Sequence, residues 1–270
     1  MLIDTHCHLD AAEFEPDRAT EVAACQRMGV RAIVVPAVCA NNFQTVMDLA
    51  TQYPECWFAL GWHPMYIDAA QPSDMQSLRK LIDQHTCNPS KLVAVGEIGL
   101  DYFVTKQNSE TQTYFFCEQL KIAQAFDLPV ILHVRRAVDD VLKHLRRIKV
   151  RGGIAHAFNG SLQQAEIFVG MGFKLGFGGA MTYTRALHIR ELAKTVGLNA
   201  IVLETDAPDI PPEWVGQQGR NSPKELYKIA EVLAELRGMQ VAQIIENTGK
   251  NSVEIFPKLG HLYTPLEVLH

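Results

Sequence analysis

The feature that most constrains the fold is a repeat of short apolar runs, each followed by a helical stretch. Eight such runs occur along the 270 residues, and most are almost continuously apolar, which is typical of parallel strands covered on both faces. Eight strand–helix units in a chain of this length predict one (β/α)8 TIM barrel over residues 1–270. The predicted strands are Leu2 to His8, Arg31 to Val38, Cys56 to His63, Leu92 to Ile98, Pro129 to Val134, Gly153 to Phe158, Lys174 to Gly179 and Ala200 to Asp206.

Two helix starts can be predicted from capping patterns. Ser109 followed by Gln112 has the spacing of a capping box, in which both side chains bond to backbone N–H groups of the first turn. Ser222 followed by Pro223 combines a capping hydroxyl with a proline at the first helical position. Both patterns precede apolar residues at helical spacing, so we expect a helix to begin at each.

Composition and charge narrow the possible partners and location. The chain is 47% hydrophobic and 20% charged, and its 25 basic and 30 acidic side chains give a net charge of -5. Because no global positive field is available to hold long duplex DNA, any nucleic-acid contact must be local. No apolar run reaches the ~18 residues of a membrane span, and residues 1–8 do not resemble a signal peptide. We expect a cytoplasmic protein whose six cysteines are reduced core thiols.

Metal-binding side chains recur at the predicted carboxyl ends of the strands, where barrel active sites lie. Taken singly, each histidine is more typical of a hydrogen-bonded core residue, and the glutamate of a structural salt bridge. Because all six fall at the same end of the barrel, coincidence explains them poorly. The predicted metal ligands are His6, His8, Glu97, His133, His156 and Asp206.

Six nitrogen and oxygen ligands exceed what one tetrahedral zinc takes from a protein. Two divalent ions, Mg2+, Mn2+ or Zn2+, about 4 Å apart could share one bridging carboxylate, which we assign to Glu97. His6 and His8 with Asp206 would hold one ion, and His133 with His156 the other. Two dications against two carboxylates leave a net positive site, which favours hydroxide and an anionic substrate such as a phosphate ester.

Several motifs together resemble the TatD family of metal-dependent deoxyribonucleases. Residues 4–10, 61–64, 96–102, 128–133, 156–161 and 204–208 read DTHCHLD, GWHP, GEIGLDY, LPVILH, HAFNGS and ETDAP. Residues 178–183 and 207–209 look closest to its YjjV-like branch. The resemblance implies a TIM barrel, metals on the six residues named above and hydrolysis of DNA phosphodiesters, typically from the 3′ end. Ala157, Asn159 and Asp209 depart from the pattern of many members, which bears on substrate choice and leaves all six ligands intact.

Four further residues are candidates for roles beside the metals. His63 has a family-like position for contacting the substrate phosphate or the leaving group, with a structural histidine as the alternative. Arg135 and Arg220 could bind phosphate oxygens, or they could be solvated surface arginines. Glu204 shares a predicted strand face with Asp206 but lies deeper in the barrel. We expect the buried carboxylate of Glu204 to accept a hydrogen bond from the second ring nitrogen of a metal-binding histidine, in preference to pairing with a buried lysine such as Lys174.

The residue pattern predicts a metal-dependent phosphodiesterase, and the family resemblance implies a 3′-to-5′ DNase. We expect it to act on single-stranded or frayed DNA ends, without an obligate protein partner. A metal-bound hydroxide would attack phosphorus, Asp206 would orient or deprotonate the water, and Glu97 would bridge the ions. His63 or a metal-bound water would assist departure of the leaving group. One alternative is an amidohydrolase that cleaves a C–N or ester bond of a small molecule. Binuclear enzymes of that class usually bridge their metals with a strand-four lysine, whereas Lys91 here precedes the strand. Another alternative is a metal-binding component without catalysis.

Overall fold

The computed structural model describes residues 1–86, 89–103 and 108–262. Eight parallel strands form one sheet in the order β1 to β8, so the predicted barrel is confirmed. The first and last strands meet where the Thr5 amide donates to the Leu203 carbonyl at 3.1 Å. The strands are β1 Leu2–Asp4, β2 Val30–Pro36, β3 Cys56–Leu60, β4 Leu92–Asp101, β5 Val130–Arg135, β6 Gly153–Ala155, β7 Phe173–Phe177 and β8 Ile201–Leu203.

Helices cover the outside of the barrel and its amino-terminal end. Ser222 caps the turn before α8 as predicted, because its hydroxyl accepts from the Lys224 amide and Pro223 follows it. Gly238, with φ +61°, ends the same helix in the left-handed conformation that glycine adopts without strain. The helices are α1 Arg18–Arg27, α2 Ala40–Gln52, α3 Pro72–His85, α4 Ser109–Ala125, α5 Val138–Arg147, α6 Leu162–Gly170, α7 Leu187–Thr195, α8 Leu226–Arg237 and α9 Val241–Ile255.

The strands are apolar on both faces and separate two layers of core. Ile33 and Val35 of β2 pack with the helices, whereas Ala32 and Val34 belong to a smaller cluster inside the barrel. Burial of each large aliphatic side chain contributes roughly 1.5 to 3 kcal/mol. The inner cluster also includes Trp57 from β3 and Ile255, Phe256 and Leu259 from the carboxyl-terminal part of the chain. That end of the barrel is thus filled by apolar side chains, and the polar chemistry lies at the other.

Several strands end earlier than the sequence predicts. β1 stops at Asp4, β6 at Ala155 and β8 at Leu203, because the chain after each strand turns into loops that bond to one another. In one such bond the Asp206 amide donates to the His6 carbonyl at 2.8 Å. The expectation that Glu204 and Asp206 share a strand face is therefore wrong, since both lie in the loop that follows β8.

β4 differs in the opposite direction, because it continues to Asp101, three residues beyond its predicted end at Ile98. Its register against β5 shifts between Val95 and Ile98, which places Glu97 within the irregular stretch. An irregularity of this kind redirects a side chain without ending the strand.

No helix in residues 1–86, 89–103 or 108–262 is long and apolar enough to cross a membrane. The cysteines within these ranges are all free thiols. Burial raises the pKa of Cys56 to about 12, so this thiol is unreactive at neutral pH. Cys7, Cys25 and Cys56 are buried, Cys39 and Cys117 are half-buried, and Cys87 lies outside the described residues.

Candidate metal centre

Four donor atoms at the carboxyl end of the barrel form the first donor group: Nε2 of His6, Nε2 of His8, one oxygen of Asp206 and Oε2 of Glu97. The two Nε2 atoms are 3.2 Å apart, and His6 Nε2 lies 3.3 Å from Glu97 Oε2 and 3.3 Å from Asp206 Oδ1. His8 Nε2 lies 3.5 Å from Glu97 Oε2 and 3.7 Å from Asp206 Oδ1. Donors placed 2.0 to 2.1 Å from a tetrahedral zinc would be about 3.3 Å from one another. The spacing of this group fits a metal ion.

The other oxygen of Glu97 faces the second donor group, made of Glu97 Oε1, Nδ1 of His133 and Nε2 of His156. Glu97 Oε1 lies 3.0 Å from His133 Nδ1 and 2.9 Å from His156 Nε2, and the two nitrogens are 3.4 Å apart. The rings of His6 and His156 stack at 4.0 Å with an interplanar angle of 10°, so the two groups are in contact. Glu97 thus presents one oxygen to each group.

The electrostatics of Glu97 fit a site for a cation. Its Oε2 is buried and has no hydrogen-bond partner among the residues that the structure describes. Burial would raise the pKa of Glu97, but the imidazoles of His156, His63 and His6 outweigh it and hold the pKa well below its usual range. Although burial opposes protonation of His8, the neighbouring carboxylate of Glu97 outweighs it and raises the pKa of that imidazole to about 9. The buried carboxylate therefore draws in positive charge, which divalent ions would supply.

The first donor group is positioned by the junction of β1 and β8. Asp206 has φ +55°, a conformation rare for residues with a side chain, and this turn places its carboxylate beside His6. Asp4 is fully buried and accepts from the Thr205 hydroxyl at 2.6 Å and the Thr205 amide at 3.0 Å. Its Oδ1 also accepts from the His6 amide at 3.3 Å. Asp4 thus ties the two strand ends together, a role that sequence reasoning missed.

A second residue that sequence reasoning missed, Asp101, fixes the ring of His133. Its Oδ2 lies 2.9 Å from His133 Nε2, so the proton of the neutral ring belongs on Nε2 and Nδ1 is left to face Glu97. Asp101 is itself held by Gln112, whose Oε1 accepts from the Asp101 amide at 2.8 Å and whose Nε2 donates to the Asp101 carbonyl at 2.9 Å. The prediction of a capping box at Ser109 is therefore wrong. Gln112 bonds to the backbone of β4, and no side chain caps the amino terminus of α4.

Glu204 is buried directly beneath His156. Its Oε1 accepts from the Ala157 amide at 2.5 Å and lies 3.9 Å from His156 Nδ1. Gly176 makes room for this carboxylate, since a Cβ at that position would lie 2.0 Å from Glu204 Oε2. Burial raises the pKa of Glu204 to about 8. Lys174 is not its partner, because the ammonium donates to Glu254 and to the Asn199 carbonyl, each at 2.8 Å.

His63 lies beside the second donor group, with Nε2 3.5 Å from Glu97 Oε1. The Met65 amide donates to His63 Nδ1 at 3.1 Å, which makes Nδ1 an acceptor and places the proton of the neutral ring on Nε2. A nitrogen that carries this proton is a hydrogen-bond donor and offers no lone pair to a metal. His63 therefore differs from the six predicted ligands in the role that it can play.

The two predicted substrate arginines occupy different environments. Arg135, the last residue of β5, is exposed beside the second donor group and lies over the ring of Phe103 at 3.6 Å. Arg220 makes two hydrogen bonds to Asp17, at 2.7 and 2.8 Å, and a third to Glu21 at 3.1 Å. The guanidinium of Arg220 thus joins its loop to α1, whereas that of Arg135 is available at the rim of the site.

Comparisons with known proteins identify the family of this chain. The family model of TatD-related DNases matches residues 3–257. The chain is 41% identical to the uncharacterized metal-dependent hydrolase YjjV of Escherichia coli over 94% of this chain and 97% of that protein. It is 31% identical to the human deoxyribonuclease TATDN3 over 97% of this chain and 96% of that protein.

The crystal structure of E. coli YjjV, a TatD homologue, superposes with a TM-score of 0.89 at 39% identity. The match covers 95% of this chain and 98% of the YjjV chain. The chain therefore belongs to the TatD-related DNase family and is a metal-dependent hydrolase.

Proposed function

We propose that this chain is a two-metal phosphodiesterase, a DNase that releases nucleotides from the 3′ ends of single-stranded or frayed DNA. The observation that carries the proposal is the division of the Glu97 carboxylate, one oxygen toward each donor group. Two divalent ions that share a carboxylate form a clamp suited to the attacking and leaving oxygens of a phosphate ester. His6, His8 and Asp206 would hold one ion, and His133 and His156 the other.

The residues around the centre supply the proton transfers. Bound divalent ions would contribute Lewis acidity and lower the pKa of water. Asp206 is the carboxylate at the open edge of the first donor group, and in the proposed reaction it orients the attacking water and accepts its proton. His63 donates a hydrogen bond from Nε2–H to the departing 3′ oxygen, because the Met65 amide holds that tautomer. Transfer of that proton to the departing oxygen, with the ring reprotonated from solvent, then leaves a nucleoside 5′-monophosphate and a shortened strand that ends in a 3′-hydroxyl.

The proposed substrate follows from charge and from the relatives. A net charge of -5 favours short contacts with strand ends over a long duplex. The human relative is named a deoxyribonuclease, which supports DNA as the substrate. The 3′-to-5′ polarity rests on the resemblance of the motifs to the family, and a location in the cytoplasm stays a prediction from the sequence.

The alternative, an amidohydrolase acting on a small molecule, lacks support at strand four. Enzymes of that class usually place a modified lysine between the metals. Lys91 is committed elsewhere, since its ammonium donates to the carbonyls of Ala50 at 2.7 Å, Tyr53 at 3.1 Å and Pro54 at 3.0 Å. In the proposed centre, Glu97 would take the bridging position.

The test is a substrate screen with chelator-treated protein reconstituted with Mg2+, Mn2+ or Zn2+. The substrates are single-stranded DNA labelled at either end, RNA of the same sequence, a phosphomonoester and a set of amides and lactones. We expect mononucleotides to be released from the 3′ end of DNA, with activity lost on chelation. Robust amide or lactone hydrolysis, with no attack on nucleic acid under any of the three metals, would overturn the proposal.

A further inference from the structure

We infer that Phe103, Arg135 and Arg136 form a binding site for a second phosphate of the substrate, next to the phosphate that is hydrolysed. We call these three residues the arginine–phenylalanine cluster. The inference rests on the proposed phosphodiesterase function and adds a substrate class to it: a strand in which another phosphate group neighbours the scissile one.

The three side chains are exposed and close together at the rim of the site. The guanidinium carbon of Arg135 lies 3.6 Å from the centroid of the Phe103 ring, and that of Arg136 lies 4.6 Å from it. Both distances fall within the range of cation–π attraction, so one ring orients two cations. Phe103 is 47% exposed, and Arg135 and Arg136 are exposed as well.

The backbone is bent to bring two consecutive arginines to one ring. Neighbouring residues in a strand point to opposite faces, so Arg135 and Arg136 would be separated if β5 continued. β5 ends at Arg135, and Arg136 has φ +56°, a left-handed conformation that is strained for a residue with a long side chain. Strain of this kind persists only where the surrounding structure holds it, and it is concentrated at functional sites.

The charge of the cluster is not neutralised by an ion pair. Neither guanidinium lies within 4.0 Å of a carboxylate oxygen among the described residues, in contrast to Arg220 with its Asp17 and Glu21 partners. Arg18 likewise has a structural role, since its guanidinium donates to the backbone carbonyls of residues 9–11. In a chain of net charge -5, two adjacent guanidinium groups that make no ion pair with the described residues form a local anion site at the rim.

The cluster is joined to the metal centre by one carboxylate. Asp101 accepts from the Phe103 amide at 2.8 Å through Oδ1, and its Oδ2 lies 2.9 Å from His133 Nε2. The Cα atoms of His133 and Arg135 are two residues apart in β5, which spaces them roughly 6 to 7 Å and directs both side chains to the same face of the strand. That separation is comparable to the distance between neighbouring phosphates of a polynucleotide. A strand with its scissile phosphate at the metals would therefore place the adjacent phosphate at the arginines.

The first experiment measures binding without cleavage or metal. A labelled single-stranded oligonucleotide is titrated with the full chain in chelator over a range of salt concentrations. The logarithm of affinity falls with the logarithm of salt by about 0.7 for each phosphate contact on single strands. We expect Arg135→Ala and Arg136→Ala each to reduce the slope by about 0.7, and Phe103→Leu to weaken binding about two- to fivefold.

Arg146→Ala is the matched control, because Arg146 is an exposed arginine near the far end of α5. We expect it to leave the salt slope unchanged. Unchanged slopes in both Arg135→Ala and Arg136→Ala, or an equal loss in Arg146→Ala, would overturn the second-phosphate site.

The second experiment separates this inference from the proposed function. Reconstituted wild type is compared on an oligonucleotide and on bis(4-nitrophenyl) phosphate, which has a single phosphate. The inference predicts a preference in kcat/KM for the oligonucleotide, which Arg135→Ala reduces at least about tenfold and Arg146→Ala does not. Cleavage of the single-phosphate diester with no such change contradicts the second-phosphate site and leaves the phosphodiesterase standing. Absence of all phosphodiester cleavage, with the slope losses still present, contradicts the proposed function and leaves the anion site standing.

Discussion

The two donor groups share Glu97 but are held in place by different means. In the first group, His6 and Asp206 are linked through the backbone, since the Asp206 amide donates to the His6 carbonyl at the junction of β1 and β8. In the second group, Asp101 lies 2.9 Å from the outer ring nitrogen of His133. Glu204 lies 3.9 Å from the outer nitrogen of His156, which makes no hydrogen bond to the described residues. The first group is thus held in place by the backbone contacts that close the barrel, whereas the second is held by contacts of individual side chains.

This difference indicates which substitutions should affect one donor group without affecting the other. A carboxylate that faces the outer nitrogen of a histidine fixes the tautomer and ring angle and makes the ring a better ligand. Substituting such a carboxylate should loosen the second group alone, whereas changes at the junction of β1 and β8 should disturb both the fold and the first group.

The largest effect is expected at Glu97, because this residue belongs to both donor groups. The wild type should bind about two Mn2+ or Zn2+ ions, and Glu97→Ala should loosen both, since each ion loses the shared carboxylate. Activity should fall by ~10⁴-fold or more, the equivalent of the several kcal/mol that metal ions contribute to catalysis. Elemental analysis and calorimetry measure the stoichiometry, with Glu166→Ala on the exposed face of α6 as the control. A single saturable site in the wild type would contradict the binuclear centre.

The second prediction concerns Asp206, the carboxylate specific to the first group. Asp206→Asn keeps the size of the side chain but removes the proton acceptor, so kcat on single-stranded DNA should fall by ~10³-fold. DNA binding should change far less, because the proposed contribution is made in the transition state. Asp48→Asn, at an exposed position on α2, provides the matched control. Equal losses in binding and in kcat would assign Asp206 to substrate binding.

The sequence was sufficient for the architecture because β-branched apolar runs and helical stretches alternate eight times, which few folds accommodate. The same count located the carboxyl ends of the strands, and the structure brings His6, His8, Glu97, His133 and Asp206 together there with His156. The prediction of those six as ligands used only their position at the strand ends.

Features that depend on loop geometry could not be predicted. The positive φ of Asp206 follows from tertiary bonds between two loops, which no local pattern encodes. The spacing of Gln112 fits a helix cap, but its side-chain amide instead bonds to the buried backbone N–H and C=O groups of Asp101. Leaving those two groups without partners would cost more than leaving the helix uncapped. One feature of the sequence could have indicated the role of Asp101: it is a carboxylate four residues after Glu97, at the end of an apolar run.

The third prediction tests the separability of the two groups through Asp101. Asp101→Asn retains the shape of the side chain and loses the charge that faces His133 Nε2. One of the two metal sites should weaken by roughly 100-fold, while the other keeps its affinity. Stepwise Mn2+ titration by calorimetry resolves the two sites, and the melting temperature of the chelated protein should stay close to that of the wild type. Equal weakening of both sites would show that the groups are not independent.

The smallest effect is expected at Glu204, the other carboxylate of the second group. Its oxygen is 3.9 Å from His156 Nδ1, a longer contact than that of Asp101, and it also accepts from the Ala157 amide. Glu204→Gln should therefore keep the fold and weaken metal affinity nearer to tenfold than to 100-fold, with the loss confined to the same site as in Asp101→Asn. Glu246→Gln, on the exposed face of α9, is the control. The space left by Gly176 fits a glutamate-sized side chain, so the amide should not be excluded by size. A variant that melts much earlier while its folded fraction binds metal normally would show that Glu204 supports the barrel wall at β7, and that His133 alone in the second group depends on a carboxylate.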